Sequence, residues 1–340
     1  MKYILLWTGS AYAPFSFLEE GQRSFLKNNC SKINCYVSKN KHLFGSYNYT
    51  HFDAVAFNGR TMKPYRLPHF RSLKQKYIYF NTESSDYYPV CHSNFDRFFN
   101  LTATYRLDSD IKYKYIEIRN KNCDVVGPKY SMQWEQDMKA VDKEFKDRLS
   151  NKSKAAAWFV SNCNARSGRQ EFVDALSEAL FEYGHKIDIY GDCGYLSCPR
   201  DKENDCYILL KRDYFFYMSL ENSFAEDYVT EKLLTALNND VVPIVYGGAN
   251  YSRFLPPGSY IDARKYSIYE LAAAINRLIG SRKAYSSYFR WKEYYTYNYD
   301  TSNICRICET LNDVNVMEKT TTYERFRHWW NPDFKERCHK

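Results

Sequence analysis

At 340 residues, 44% of them apolar and 18% aromatic, the chain is long enough for two ordinary domains and too rich in core-forming side chains to be disordered. Its formal charge of +8 suits an anionic ligand, but lysine and arginine form no dense patch, which sets a nucleic-acid partner aside. Eleven cysteines, with Asn-x-Ser/Thr sequons at Asn29, Asn48, Asn100, Asn151 and Asn250, argue for disulfides in an oxidising compartment, and the odd total leaves at least one thiol over.

Residues 3–7 read as a buried first strand, followed by a helix-compatible stretch to Lys27, the cysteine-bearing segment Cys30 to Cys35 and a strand at 53–57. The apolar run at 77–85 ends in Asn81, Thr82, Glu83 and Ser84. A carboxylate at a strand's carboxyl edge faces a cleft more often than a core, yet by residue type alone Glu83 reads as a surface or capping glutamate. Within 98–115, Asp108-Ser109-Asp110 spells a pattern that chelates divalent cations in other enzymes. Residues 131–154 have the charge pattern of an exposed helix and a linker, which places a domain boundary near Asn151.

A strand at 155–161 leads into a polar turn and an amphipathic helix ended by Gly184, with Arg166 and Arg169 at its entrance. Two arginines there oppose the helix dipole, so they hold either a diphosphate or nearby acids. The next strand, 186–190, runs into a loop carrying Cys193, Cys198 and Cys206, which with Cys163 permit three pairings; zinc is the alternative use, though the spacing is looser than the tight Cys-x-x-Cys pairs a tetrahedral site wants.

The stretch Phe216 to Gly248 is a strand, a polar loop, a helix and a second strand. Ligands of open α/β sheets sit at such carboxyl-edge loops, and this one carries Glu221, Asn222, Tyr228, Glu231 and Lys232. Thr230 or Asp227 is expected to cap the helix, with Lys232 for phosphate oxygens and Glu231 for ribose hydroxyls. A turn and strand at 254–266 and one amphipathic helix over 267–290 follow. Cys305-x-x-Cys308 suits structural disulfides, and 320–334 reads as a closing aromatic helix.

The run FYMSLENSFAEDYVTEKLLTAL, with Phe80 to Ser84 and Phe99 to Asp110, resembles the signature of the GDP-fucose-dependent α1,3-fucosyltransferases, glycosyltransferase family 10. The resemblance covers nearly the whole chain. It implies an α/β fold of two facing Rossmann-like domains (the GT-B architecture): an acceptor domain at 1–150, a donor domain at 151–300, and a segment at 301–340 packing back across them. It further implies Glu83 as the catalytic base, and Arg169 on the donor phosphates with Arg166 as second choice. Glu221, Asn222, Tyr228, Glu231 and Lys232 would line the donor site, with no chelated metal and no required cofactor. Asp108 and Asp110 then shape the acceptor side, and Cys30 and Cys35 pair with Cys305 and Cys308.

The resemblance implies inverting transfer of L-fucose to the 3-hydroxyl of N-acetylglucosamine in glycoprotein N-glycans. FVSNCNARSGR and IDIYGDC look closest to the invertebrate and plant branch that modifies the innermost core residue. A Lewis-type enzyme acting on outer lactosamine arms is the alternative, as is a catalytically silent sugar- or nucleotide-binding homologue. No apolar run reaches the roughly 20 residues of a membrane helix, and the start lacks a signal-peptide layout. The expected setting is the Golgi lumen, reached as a type II membrane protein through an anchor that this sequence does not contain.

Overall fold

A computed structural model of the chain describes residues 1–45 and 48–338 and divides into two compact units, 1–114 with 300–340, and 115–299.

The first unit opens with β1 (Lys2–Leu6), α1 (Arg23–Lys27), β2 (Cys35–Ser38), β3 (Ala54–Asn58), β4 (Lys76–Asn81), β5 (Leu101–Thr104) and β6 (Ile111–Lys112). These strands form one parallel sheet in the order β2-β1-β3-β4-β5-β6. Both its faces are covered, so the strands read as near-continuous apolar runs; β4 is buried at every position. Alternation still sorts the faces: Ile4, Leu6, Ile78 and Phe80 join one core, while Tyr79 packs against Phe99 on the other side.

The second unit starts with β7 (Ile116–Asn120) and β8 (Val125–Gly127), then α2 (Lys143–Leu149), β9 (Lys154–Phe159), α3 (Arg169–Phe181), β10 (Ile187–Tyr190) and α4 (Glu203–Asp213). It continues through β11 (Tyr214–Leu220), α5 (Lys232–Asn238), β12 (Val242–Tyr246), β13 (Ile261–Asp262), α6 (Ile268–Ile279), α7 (Arg282–Ser286) and β14 (Tyr295–Tyr299). Its parallel sheet runs β10-β9-β11-β12-β13, the topology of the first sheet repeated. In each sheet the strand order reverses beside the unit's first parallel strand, between β1 and β3 and between β9 and β11. The crevice outside the carboxyl ends of such strands is where open sheets bind ligands.

The tail completes the first unit with α8 (Asn303–Asn312), α9 (Val314–Glu318), α10 (Phe326–Trp330) and α11 (Phe334–Cys338). Ile304, Ile307 and Leu311 of α8 enter the Ile4–Phe80 core. On the other face Phe326 and Trp330 pack edge-on to Tyr79 at 4.8 and 5.1 Å between ring centres. The bridges Cys30–Cys305, Cys35–Cys308 and Cys91–Cys338 fasten this tail to its own sheet. In the second unit the loop cysteines pair as Cys163–Cys193 and Cys198–Cys206, and Cys123 is the exposed thiol left over.

Several elements differ from expectation. The first unit stops at Lys114 rather than near Asn151, because β7 pairs antiparallel with β14, a partner too distant in sequence to be read from either segment, and β8 adds to the far side of β7. The single helix over 267–290 breaks at Gly280, and Ser281 caps a new one by accepting the Ala284 N–H. The closing helix is two short pieces on either side of Pro332, a residue without an amide hydrogen to donate.

Candidate functional site

In the second unit the site is built from the loops that leave β9 and β11, the two strands at the reversal of strand order. The first loop ends at Gly168, whose φ of 65° suits a residue without a Cβ and starts α3 at Arg169. Ser167 then ties the loops together, its N–H donating to the Asn222 carbonyl at 3.1 Å and its hydroxyl to the Glu221 carbonyl at 2.8 Å. Arg169, 4% exposed, adds two more struts, from Nη1 to the Leu220 carbonyl at 2.8 Å and from Nη2 to the Asn162 carbonyl at 3.0 Å. Two nitrogens of its guanidinium thus hold the two loops in register. Arg166 lies outside the helix and is exposed.

Glu221, 2% exposed, closes the second loop on itself. Its Oε1 accepts the Thr230 N–H at 2.8 Å and the Thr230 hydroxyl at 3.0 Å. Burial pushes its carboxyl up, against the pull of Lys232. Lys232 donates to Thr230 Oγ1 at 2.7 Å and pairs with Glu221 and Glu231 at 3.3 Å each. Burial alone would lower its ammonium, but those two carboxylates outweigh it and raise the pKa. Lys232 therefore stays charged, and its charge is balanced within the protein.

Neither expected cap is made. Thr230 is occupied by Glu221, and Asp227, at a φ of 57°, pairs with Arg253 at 2.7 Å, so α5 starts at Lys232 with Glu231 at the cap position and no side-chain cap. Tyr228 is buried, edge-on to Tyr115 at 6.2 Å. Asn222 is half-buried, its side-chain oxygen accepting the Ser223 hydroxyl at 3.1 Å.

In the first unit Glu83 follows β4, which neighbours β3 at the strand-order reversal. Its N–H donates to Asn81 Oδ1 at 2.9 Å, and its carboxylate, 33% exposed, meets Arg60 Nη1 at 3.4 Å. Asp108 and Asp110 are both exposed, and both also make structural contacts. Arg106 forks onto Asp108 with two contacts of 2.8 Å, joined by Trp329 Nε1 at 2.9 Å. Asp110 accepts from the Thr102 N–H at 2.9 Å and the Tyr323 hydroxyl at 2.8 Å. Both acids thus anchor the tail. Among the described residues no group of three His, Cys, Asp or Glu is placed to hold a metal ion.

Of the sequons, Asn29, Asn48, Asn151 and Asn250 are exposed. Asn100 is half-buried, its amide accepting the Tyr77 N–H at 2.9 Å and donating to the Thr321 carbonyl at 3.1 Å. Residues that the sequence reading passed over are Ser167 and Arg60, while Thr230 was read only as a helix cap. A signal for Arg60 exists: Phe57-Asn58-Gly59-Arg60 repeats the pattern of Phe80-Asn81-Thr82-Glu83.

The family model described as "Glycosyltransferase family 10 (fucosyltransferase) C-term" matches residues 149–329, and "Fucosyltransferase, N-terminal" matches 1–116. The chain is 36% identical over 338 residues to "Alpha-(1,3)-fucosyltransferase C" of Drosophila melanogaster, covering 97% of this chain and 77% of that protein. It is 32% identical over 334 residues to "Glycoprotein 3-alpha-L-fucosyltransferase A" of the same species, covering 97% of this chain and 60% of that protein. In fold it resembles the crystal structure of an α1,3-fucosyltransferase with GDP-fucose, with a TM-score of 0.54, 17% identity, and 95% and 91% of the two chains covered.

Proposed function

The chain belongs to the α1,3-fucosyltransferases of glycosyltransferase family 10, and from that premise we propose that it moves L-fucose from GDP-β-L-fucose, with inversion, to the 3-hydroxyl of N-acetylglucosamine in glycoprotein N-glycans. The acceptor is the innermost core residue, and the setting is the Golgi lumen. The observation that carries the donor half is the pair of loops joined by Ser167 and Arg169 at the strand-order reversal, where a nucleotide diphosphate finds cationic side chains on a braced frame.

Glu83 accepts the proton of the acceptor 3-hydroxyl as that oxygen bonds to the fucose anomeric carbon. The bond from that carbon to the β-phosphate oxygen breaks, and its electron pair leaves on GDP. Charge on the departing diphosphate is met by Arg166 and Lys232, with Arg169 behind them. Asn222, Tyr228 and Glu231 position nucleotide and sugar, and Glu221 keeps their loop closed.

The test pairs two acceptors with one variant. A core N-glycopeptide accepts fucose and N-acetyllactosamine does not; product from N-acetyllactosamine alone replaces the core reading with an outer-arm one. Glu83→Gln lowers transfer by about 10²- to 10⁴-fold while GDP-fucose binding persists. An unchanged transfer rate would remove Glu83 from the mechanism, and absence of transfer by the unsubstituted protein to either acceptor would favour a silent binding homologue.

A further inference from the structure

Two neighbouring parallel strands of the first unit end in the same way. β3 closes on Phe57-Asn58 and β4 on Phe80-Asn81, and both asparagines are fully buried. Each turns its side-chain oxygen back to the N–H two residues on, Asn58 to Arg60 at 3.0 Å and Asn81 to Glu83 at 2.9 Å. Twin turns on adjacent strands bring the two charged side chains beside one another. Gly59 makes this possible, because a Cβ there would strike the Tyr79 hydroxyl and come within 2.8 Å of Asn81 Nδ2.

Arg60 is held from several sides. Asn58 Nδ2 donates to the carbonyls of Tyr12 and Ala13 at 3.1 Å, which fixes the segment that supplies Tyr12. The guanidinium carbon lies 4.2 Å from the centre of the Tyr12 ring and 5.1 Å from that of Tyr88. Tyr88 is itself placed by Trp330, whose Nε1 donates to its carbonyl at 2.8 Å. The contact with Glu83 is single, Nη1 to Oε1 at 3.4 Å, and Oε2 makes no hydrogen bond among the described residues. A two-pronged pair would have occupied both oxygens. Here one is tethered and the other is left for a hydroxyl.

We infer that Arg60 is a positioning residue which fixes the Glu83 side chain, so that its untethered oxygen meets the acceptor hydroxyl; this rests on the reading of Glu83 as the base. Arg60 need touch neither substrate. Its whole effect passes through one carboxylate.

The experiment measures kcat, both KM values and acceptor-free hydrolysis of GDP-fucose for Arg60→Gln, Arg60→Lys, Glu83→Gln and the Arg60→Gln/Glu83→Gln double variant. Arg60→Gln is expected to lower kcat of transfer by about 10- to 100-fold, with the KM for GDP-fucose and the rate of hydrolysis unchanged. Arg60→Lys recovers part of the loss, and the double variant is no slower than Glu83→Gln alone. The inference is overturned if Arg60→Gln keeps kcat, if it loses donor affinity and thermal stability together, or if the double variant's losses multiply. Full transfer by Glu83→Gln would instead strike the base itself, so the two failures are told apart.

Discussion

Lys152, 6% exposed, donates its ammonium to one carbonyl, that of Lys211, at 2.6 Å. Burial, opposed by Asp240 and reinforced by Lys211, brings its pKa from 10.5 to about 7. Between those two values the unfolded chain binds a proton that the folded chain does not, so this residue makes stability climb as pH rises from about 7 towards 10.5. Below that window both states are protonated and the full penalty remains. Thermal unfolding at several pH values should show this climb, and Lys152→Met should flatten it; an equal slope in the variant would refute the assignment. Nothing in the letters around Lys152 marks it, since a lysine in the charged stretch that ends at residue 154 reads as solvated. Glu221 is the complementary case: its place in Glu-Asn-Ser pointed to the donor loop, but only its burial against Thr230 identifies it as the residue that closes that loop.

At the level of elements, α10 has five residues, too few to form alone, and exists because its rings fill the aromatic face of the first sheet. Trp330 is fully buried among Tyr79, Tyr105 and the backbone of Tyr88. Trp330→Ala should cost about 3–5 kcal/mol in urea unfolding, whereas Tyr195→Ala, at a fully exposed ring, should stay within about 0.5 kcal/mol. A small effect at Trp330 would mean that the tail is an appendage and not part of the core. The strands β1, β3, β4, β9 and β11 were legible as apolar runs, because a parallel sheet buried on both faces writes itself that way. β7 and β14 were not, because what makes each a strand is the other.

For the whole molecule, the repeated strand order gives each unit a strand-order reversal of the kind at which open sheets hold ligands, and Glu83 and Glu221 follow strands β4 and β11 of those sheets. Metal chemistry on Asp108 and Asp110 would first have to take them from Arg106, Trp329, Thr102 and Tyr323. Fucose transfer is accordingly expected to persist in EDTA. Complete loss, restored by manganese, would overturn that and return the two aspartates to the site.

Sequence by itself determined the class of fold and the family, and that an odd number of cysteines leaves a thiol over. Those are local matters: apolar runs, a strand–loop–helix motif, and residue types at fixed spacing. Tertiary structure decided that Arg169 braces loops, that Thr230 answers Glu221 instead of capping a helix, that the acidic pair anchors the tail, and that Arg60 stands beside Glu83. Each of those outcomes depends on which strands lie side by side, and hydrogen-bonding groups take whichever partner the sheet brings within about 3 Å.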